Sequence, residues 1–365
     1  LNNLHDPFLM KNMDLVTNIL IKSIKSNEKI FIFGDYDVDG TTACSALSMF
    51  LNELGCETKV YIPDRKKEGY GLSIDGINTA IDWNADIIIT CDCGINAIDQ
   101  AEYAKKNNIK LIITDHHSPD DQLPEIDLIL NPNQKDCKYP FKGLCGGAVA
   151  FKLMQAIVKK LGKDIRIANQ YLDLISLGTA ADIVPLIDEN RIIMQIGLEM
   201  IKTSKITGLN KLLQISGLFE KEISVGRIAY NIAPRINAAG RLGDANRVIN
   251  LLTTKSEMKS VKLAKELNEE NKIRQDIQQK ILKEAMKKIS NNKKLKNQKV
   301  LIIWDKNWDE GLIGIIASKL KEEFNKPVIV LSIENEIAKG SARSIIGFNL
   351  FEKLKECKDD LISFG

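Results

Sequence analysis

Three aspartates stand within five residues in Phe33-Gly-Asp-Tyr-Asp-Val-Asp-Gly40. Carboxylates this close repel one another unless they are solvated, protonated or matched by cations. Two further acidic groups close apolar runs later in the chain, at Asp92 and at Asp115-His116-His117. Oxygen ligands joined by imidazole suit Mn²⁺ or Mg²⁺, so the pattern predicts a site for two such ions. Asp35, Asp37 and Asp39 also match the first half of a calcium-binding EF-hand loop. That reading fails because Ala46 stands where the bidentate Glu is required and a strand precedes the loop where a helix is needed. A phosphate-binding P-loop is excluded too, since Thr41 occupies the lysine position and the carboxylates would repel a nucleotide.

The companion motifs add to this chemistry. Two of the three histidines are His116 and His117, read as one metal ligand and one group left to touch substrate. Asp182 ends the small-residue stretch Gly178-Thr-Ala-Ala-Asp, which allows tight backbone packing and an inward carboxylate. In Asn231-Ile-Ala-Pro-Arg-Ile-Asn-Ala-Ala-Gly-Arg241, Arg235 and Arg241 sit among small residues in a segment too rigid for a plain surface loop and suit phosphate oxygens. Lys339-Gly-Ser-Ala-Arg-Ser344 offers hydroxyls, backbone N–H groups and Arg343, and is expected to be a turn that nests a phosphate.

The elements that must position these groups are legible as short apolar runs. Lys29–Phe33, Thr58–Ile62, Asp86–Thr90, Lys110–Thr114 and Asp127–Leu130 are β-rich and separated by helix-length segments, which predicts an α/β fold with a parallel sheet. Ala43, Ala46, Leu47, Phe50, Leu51 and Leu54 recur at the spacing of a crossover helix. Strands ending in Gly34-Asp35, Cys91-Asp92 and Asp115-His116 bring their acidic groups to one sheet edge, where such folds bind ligands. Beyond residue 146 the pattern turns helical, with a Lys/Glu/Gln-rich connector helix near 245–291, before a second α/β region begins at Lys299. The lysine excess of the connector reads either as a solvated face or as a strip that contacts a polyanion.

With 365 residues, 44% hydrophobic and 27% charged, the chain is long enough for two domains with substantial cores. A net charge of +3 does not by itself indicate nucleic acid. Seven cysteines without a Cys-x-x-Cys pair argue against a disulfide framework or a zinc ribbon, and Cys91 and Cys93 read as small buried residues. No run approaches a membrane span and no signal-peptide pattern opens the chain, so a cytoplasmic location is expected.

Taken together and in this order, the motifs resemble the DHH phosphoesterase superfamily, and within it the single-strand-specific DNA exonucleases. The resemblance runs from Leu4-His-Asp-Pro-Phe8 through Tyr61–Arg65 and Gly69-Tyr-Gly71 to Gly340–Ser344, nearly the whole chain. It implies a catalytic domain over 1–245, a connector helix over 246–295 and a smaller, incomplete associated domain for substrate binding over 296–365. It further implies that Asp37, Asp39, Asp92, His116 and Asp182 hold two Mn²⁺ or Mg²⁺ ions, with Asp92 bridging. In related phosphoesterases a histidine often stands where this chain has Phe33, and the resemblance leaves Asp35 as the candidate to complete the set. Arg65, Ser341 and Arg343 are the implied 5′-phosphate contacts, Arg235, Asn237 and Arg241 are implied to lie nearer the scissile phosphate or behind the groups that touch it, and His117, Asp92 and Arg235 are the implied catalytic residues.

The implied activity is 5′-to-3′ hydrolysis of single-stranded DNA to 5′ mononucleotides in repair and recombination, with a single-strand-binding protein and a helicase as partners. Two rivals stand beside it: a phosphodiesterase of short oligonucleotides or cyclic dinucleotides, and a catalytically silent replication scaffold. A free-standing pyrophosphatase is disfavoured by Phe33. The resemblance also implies residues beyond Gly365, a Gly and a His that complete a phosphate-binding motif and an OB-like domain, so a fragment of reduced activity is expected.

Overall fold

The computed structural model describes residues 3–362, so the stretch Ser363-Phe-Gly365, from which the expected phosphate-binding motif would continue, lies outside the described residues. The chain divides into two compact units, 1–269 and 270–365. Among the described residues no helix is long and apolar enough to cross a membrane.

The first unit is built on five parallel strands, β1 (Lys29–Gly34), β2 (Glu57–Tyr61), β3 (Ile87–Cys91), β4 (Lys110–Thr114) and β5 (Ile129–Leu130). Their order is β2-β1-β3-β4-β5. Side chains alternate across the sheet, as the period of a strand requires. Ile30, Ile32, Ile87, Ile89 and Ile112 pack with the Val38–Glu53, Gly146–Lys160 and Leu172–Ala181 helices. Phe31, Phe33, Ile88, Leu111 and Ile113 face the opposite core, closed by the Ile74–Asp82 and Ile98–Lys106 helices. Burial on both faces explains why the strands read as continuous apolar runs rather than alternating ones.

The strand order reverses at β1, with β2 on one side and β3 on the other. That reversal leaves a crevice outside the carboxyl ends of β1 and β3, the usual ligand position in a doubly wound sheet. In the register, Gly34 pairs with Cys91 and Cys91 with Thr114. The next residues, Asp35, Asp92 and Asp115, therefore leave the sheet together.

A buried polar network fastens the 4–8 stretch to this unit. Lys152 and Glu189 form an ion pair with neither side chain exposed. Glu189 also accepts from the His5 backbone N–H at 2.8 Å and from the Tyr139 hydroxyl at 2.5 Å, while Lys152 donates to the His5 carbonyl at 2.9 Å. Burial lowers the Lys152 pKa, and the charge of Glu189 partly offsets the shift.

The segment expected as one connector helix over 246–295 is divided. Asn246–Thr253 is a separate helix that buries Val248, Ile249, Leu251 and Leu252 in the first core, and Thr254 ends it in an extended conformation. The long helix is Glu257–Ser290. Four buried apolar residues in eight make the first piece a packed element, which a uniform count of lysines and glutamates conceals.

The second unit carries β6 (Leu301–Asp305), β7 (Val328–Glu334) and β8 (Ile337–Arg343), in the order β6-β7-β8, with β6 and β7 parallel and β8 antiparallel to β7. The Ile313–Phe324 helix crosses between β6 and β7, and Ile281, Ala285 and Ile289 close the core with Leu301, Ile303, Ile316 and Val328. The expected turn at Lys339–Ser344 is instead the return strand of a hairpin. Its turn is Asn335-Glu336, whose positive φ angles of 48° and 65° fit a two-residue connection. Glycine and serine at 340 and 341 mimic turn chemistry, but Asn335 takes that role.

Candidate metal centre

Each acidic group is delivered by an element end. Asp35 follows β1 and is buried; Asp37 caps the Val38–Glu53 helix, accepting from the Gly40 N–H at 3.0 Å; and Asp39 lies fully buried in the first turn. Asp92 follows β3 with φ of 64°, a left-handed backbone in which Asp and Asn are among the few tolerated residues. Asp182 ends the Leu172–Ala181 helix. His116 leaves β4 and brings its Nε2 to 3.1 Å from Asp92 Oδ1 and 3.5 Å from Asp182 Oδ2.

Three overlapping sets of ligand atoms result, each within 4.8 Å: Asp92 with His116 and His117, Asp39 with His116 and Asp182, and Asp35 with Asp37 and Asp92. Asp35 Oδ1, Asp39 Oδ2, Asp92 Oδ1, His116 Nε2 and Asp182 Oδ2 are all buried and have no hydrogen-bond partner. Buried polar atoms are normally satisfied, so five orphans aimed at one place mark a position for cations. Four carboxylates and an imidazole form a hard donor set that fits Mn²⁺ or Mg²⁺.

The electrostatics agree. Burial, then the neighbouring Asp37, pushes Asp35 up to about 8. Asp92 is held far above the carboxylate range by burial and by Asp39, Asp37 and Asp35, and Asp39 likewise by burial, Asp182 and Asp37. Asp182 rises to about 6 through burial and Asp37. Burial and the nearby His117 lower His116 to about 4, which favours the neutral, metal-binding imidazole. Repulsion of this size is relieved either by protonation of the carboxylates or by bound cations.

His117 is held differently. Burial would depress it, but a 2.7 Å contact from its Nδ1 to Asp115 Oδ1 and the charge of Asp115 raise its pKa. Asp115 also accepts from the backbone N–H groups of His116 at 2.7 Å, His117 at 3.1 Å and Ile95 at 2.9 Å, which fixes the loop after β4. The Tyr70 hydroxyl lies 3.2 Å from His117 Nε2. With 43% of its side chain exposed, His117 can reach a bound molecule.

The remaining expected residues fall into two groups. Arg65 lies over the Tyr36 ring at 5.1 Å, and Arg241 acts electrostatically on Tyr36 and Asp37. Arg241 and Asn237 belong to the Ala233–Leu242 helix, which follows a π-helical turn at Ile228–Ile232 and packs with Gly240 against the Tyr36 carbonyl. Asn237 Oδ1 is buried and unpartnered. Arg235 is turned toward its own helix and Asn268, donating to the Asn231 carbonyl at 2.5 Å and to Asn268 Oδ1 at 3.0 Å. Ser341 and Arg343 belong to the second unit, where Arg343 donates to Ser318 Oγ at 3.1 Å and to Ser341 Oγ at 3.2 Å.

Sequence reasoning missed the residues that let helices approach the carboxylates. The Gly147 N–H donates to Asp39 Oδ1 at 3.1 Å. A Cβ on Gly146 would lie 2.5 Å from Asp92 Oδ1, and one on Gly178 would collide with Asp39. The signal was available as Gly146-Gly147 opening a helix, where an N-terminus without side chains favours anionic neighbours.

Comparison with known proteins bears on this geometry. The model of the DHH family, N-terminal domain, matches residues 29–179, and that of the DHHA1 domain matches residues 297–362. The single-stranded-DNA-specific exonuclease RecJ of Bacillus subtilis is 41% identical over 99% of this chain and 45% of its own length. RecJ of Salmonella typhimurium is 35% identical over 98% of this chain and 65% of its length. The chain thus spans about half to two thirds of these relatives. A crystal structure of exonuclease RecJ bound to manganese superposes with a TM-score of 0.84 at 30% identity, over 98% of this chain and 88% of that one.

Proposed function

The chain belongs to the DHH phosphoesterase family, and from that membership we propose that it is a metal-dependent, single-strand-specific DNA exonuclease that works from the 5′ end. The observation that carries the reading is the convergence, at the strand-order reversal, of five buried ligand atoms that make no hydrogen bond. Asp35, Asp37, Asp39, Asp92, His116 and Asp182 would hold two Mn²⁺ or Mg²⁺ ions. When bound, such ions supply Lewis acidity and an activated water for phosphodiester hydrolysis.

The protein's own groups do the rest. Asp115 holds the His117 ring in place, and the raised His117 pKa favours an imidazolium that donates a proton to the leaving 3′ oxygen. Asn237 and Arg241 are assigned to the phosphate undergoing cleavage, Arg65 to a 5′-phosphate contact of the first unit, and Ser341 and Arg343 to phosphate contacts of the second. Arg235 reaches the transition state only by exchanging its present partners, so its assignment requires a side-chain movement. We assign catalysis to the 1–245 region and substrate binding to 296–365. A single-strand-binding protein and a helicase are proposed partners, and the cytoplasm the proposed location, from family membership.

The test is Mn²⁺-dependent digestion of long single-stranded DNA labelled at either end, by wild type and by Asp92→Asn. Asparagine keeps the left-handed backbone while removing the charge. Early release of 5′ label that is lost in the variant supports the reading. Hydrolysis of dinucleotides alone would move the protein to the small-substrate branch, and absence of all hydrolysis would overturn the enzymatic assignment.

A further inference from the structure

The charge pattern of the long helix changes abruptly near its end. Residues 257–286 carry seven Lys or Arg against six Asp or Glu, whereas 287–299 carry six lysines and no acidic residue. Lys288 is engaged, donating to Asp305 Oδ2 at 2.6 Å and to the Trp304 carbonyl at 2.7 Å. The other five, Lys287, Lys293, Lys294, Lys296 and Lys299, are exposed. Among the described residues they have no acidic partner. A solvated helix face interleaves its charges, as 257–286 does; an unbalanced run of this density repels itself and is typical of segments that contact polyanions.

The fold places this run beside an existing cation. Lys299 precedes β6, and Lys326 precedes β7 while its amine donates to the carbonyls of Lys296 at 2.7 Å and Gln298 at 2.9 Å, holding the segment in shape. Leu301 pairs with Val328, and Val328 with Arg343. The end of the segment that leads into Leu301 and Arg343 thus occupy the same end of the three-stranded sheet, on opposite edges, roughly 10 Å apart across two strand spacings.

We propose that residues 287–299 form an accessory contact for the phosphate backbone of single-stranded nucleic acid, separate from the phosphate contact assigned to Arg343. The proposal rests on the reading of single-stranded DNA as substrate, and its function is to retain the strand between cuts. Lysines at this spacing contact phosphates as point charges without reading sequence.

The experiment measures binding of a labelled forty-nucleotide oligothymidine in EDTA, which removes cleavage from the readout, as a function of salt. It compares the full chain with a variant carrying Lys287→Gln, Lys293→Gln, Lys294→Gln, Lys296→Gln and Lys299→Gln. If all five lysines contact phosphates, the salt slope falls by about 3.5, and the wild type loses about 100-fold more affinity than the variant between 50 and 200 mM salt. Equal slopes, or a loss confined to a poly-glutamate probe of the same charge, would overturn the proposal, the latter assigning the surface to an acidic protein. Should the fivefold variant unfold, Lys293→Gln/Lys294→Gln/Lys299→Gln gives the same comparison with about 2 units of slope. A wild type that binds with the steep slope yet cleaves no DNA would refute the exonuclease reading while leaving the contact intact.

Discussion

Replacing Gly146 by alanine tests whether close helix approach fixes the metal site. The added Cβ would stand 2.5 Å from Asp92 Cβ and Oδ1 and 2.7 Å from Asp92 Cα. Reaching the 3.4 Å at which ordinary van der Waals contact begins requires the two elements to separate by about 0.9 Å. Asp92 cannot yield by a rotamer change alone, because its own Cα is among the atoms struck. The strand end must move, or the helix must, and overpacking of this kind costs about 1 to 3 kcal/mol of stability. A ligand shifted by roughly 1 Å also loses about 100-fold in turnover, and disturbed ligand support lowers metal affinity by about 10- to 100-fold.

Calorimetric titration with Mn²⁺ and single-turnover cleavage of 5′-labelled single-stranded DNA would measure both effects. Gly226→Ala is the control, since a Cβ there meets nothing within 4 Å. A Gly146→Ala protein that binds Mn²⁺ and cleaves within threefold of wild type would refute the argument that the helix start and Asp92 are held at a fixed separation.

Further outcomes follow from the other buried groups. Glu189→Ala should destabilise the fold by about 3 to 5 kcal/mol in urea titration, because it strands the buried Lys152 cation, whereas Lys152→Met with Glu189→Gln should cost much less; equal costs would show that the pair is not coupled. Asp173 accepts from Ser204 Oγ at 2.6 Å and is pushed by burial from 3.8 to about 6. The native state therefore holds this proton longer than the unfolded chain, and stability from this group is lost as pH rises from about 4 through 6. Asp173→Asn should raise stability at pH 7 by up to about 3 kcal/mol and leave it unchanged below pH 4, and a gain independent of pH would sink the assignment. Asp115→Asn should lower turnover by about 10- to 100-fold, since it releases His117 and loosens the backbone after β4 that carries His116; turnover at saturating Mn²⁺ isolates the His117 contribution. Unchanged turnover would mean that the Asp115 charge is not needed to position the ring.

The parts of this molecule visible in the sequence are those in which one residue type answers one physical demand. Burial on both faces makes Ile87–Cys91 a continuous apolar run, and repulsion makes Asp35, Asp37 and Asp39 improbable without cations. The parts that stayed hidden depend on distance between remote segments. Gly146 and Gly178 are ordinary residues until Asp92 and Asp39 are brought against them. Gly340 and Ser341 have turn-like composition, yet the positive φ angles at Asn335 and Glu336 assign the turn four residues earlier and leave a strand behind it. Thr254 interrupts the expected connector with no proline or glycine to announce it. Arg235 has the right chemistry for phosphate but is held by Asn231 and Asn268, which only packing reveals.

The left-handed backbone at Asp92 constrains how this chain can diverge. Only Gly, Asn and Asp enter that region at low cost, and only a carboxylate among them supplies the charge proposed to hold a shared cation. The two requirements intersect at a single amino acid. Greater stability elsewhere in the fold would not widen that choice, because it supplies neither the φ angle nor the charge. A descendant that gave up hydrolysis but kept the architecture would therefore be expected to show asparagine or glycine at this position before any other change, so position 92 distinguishes a working lineage from one retained as scaffold.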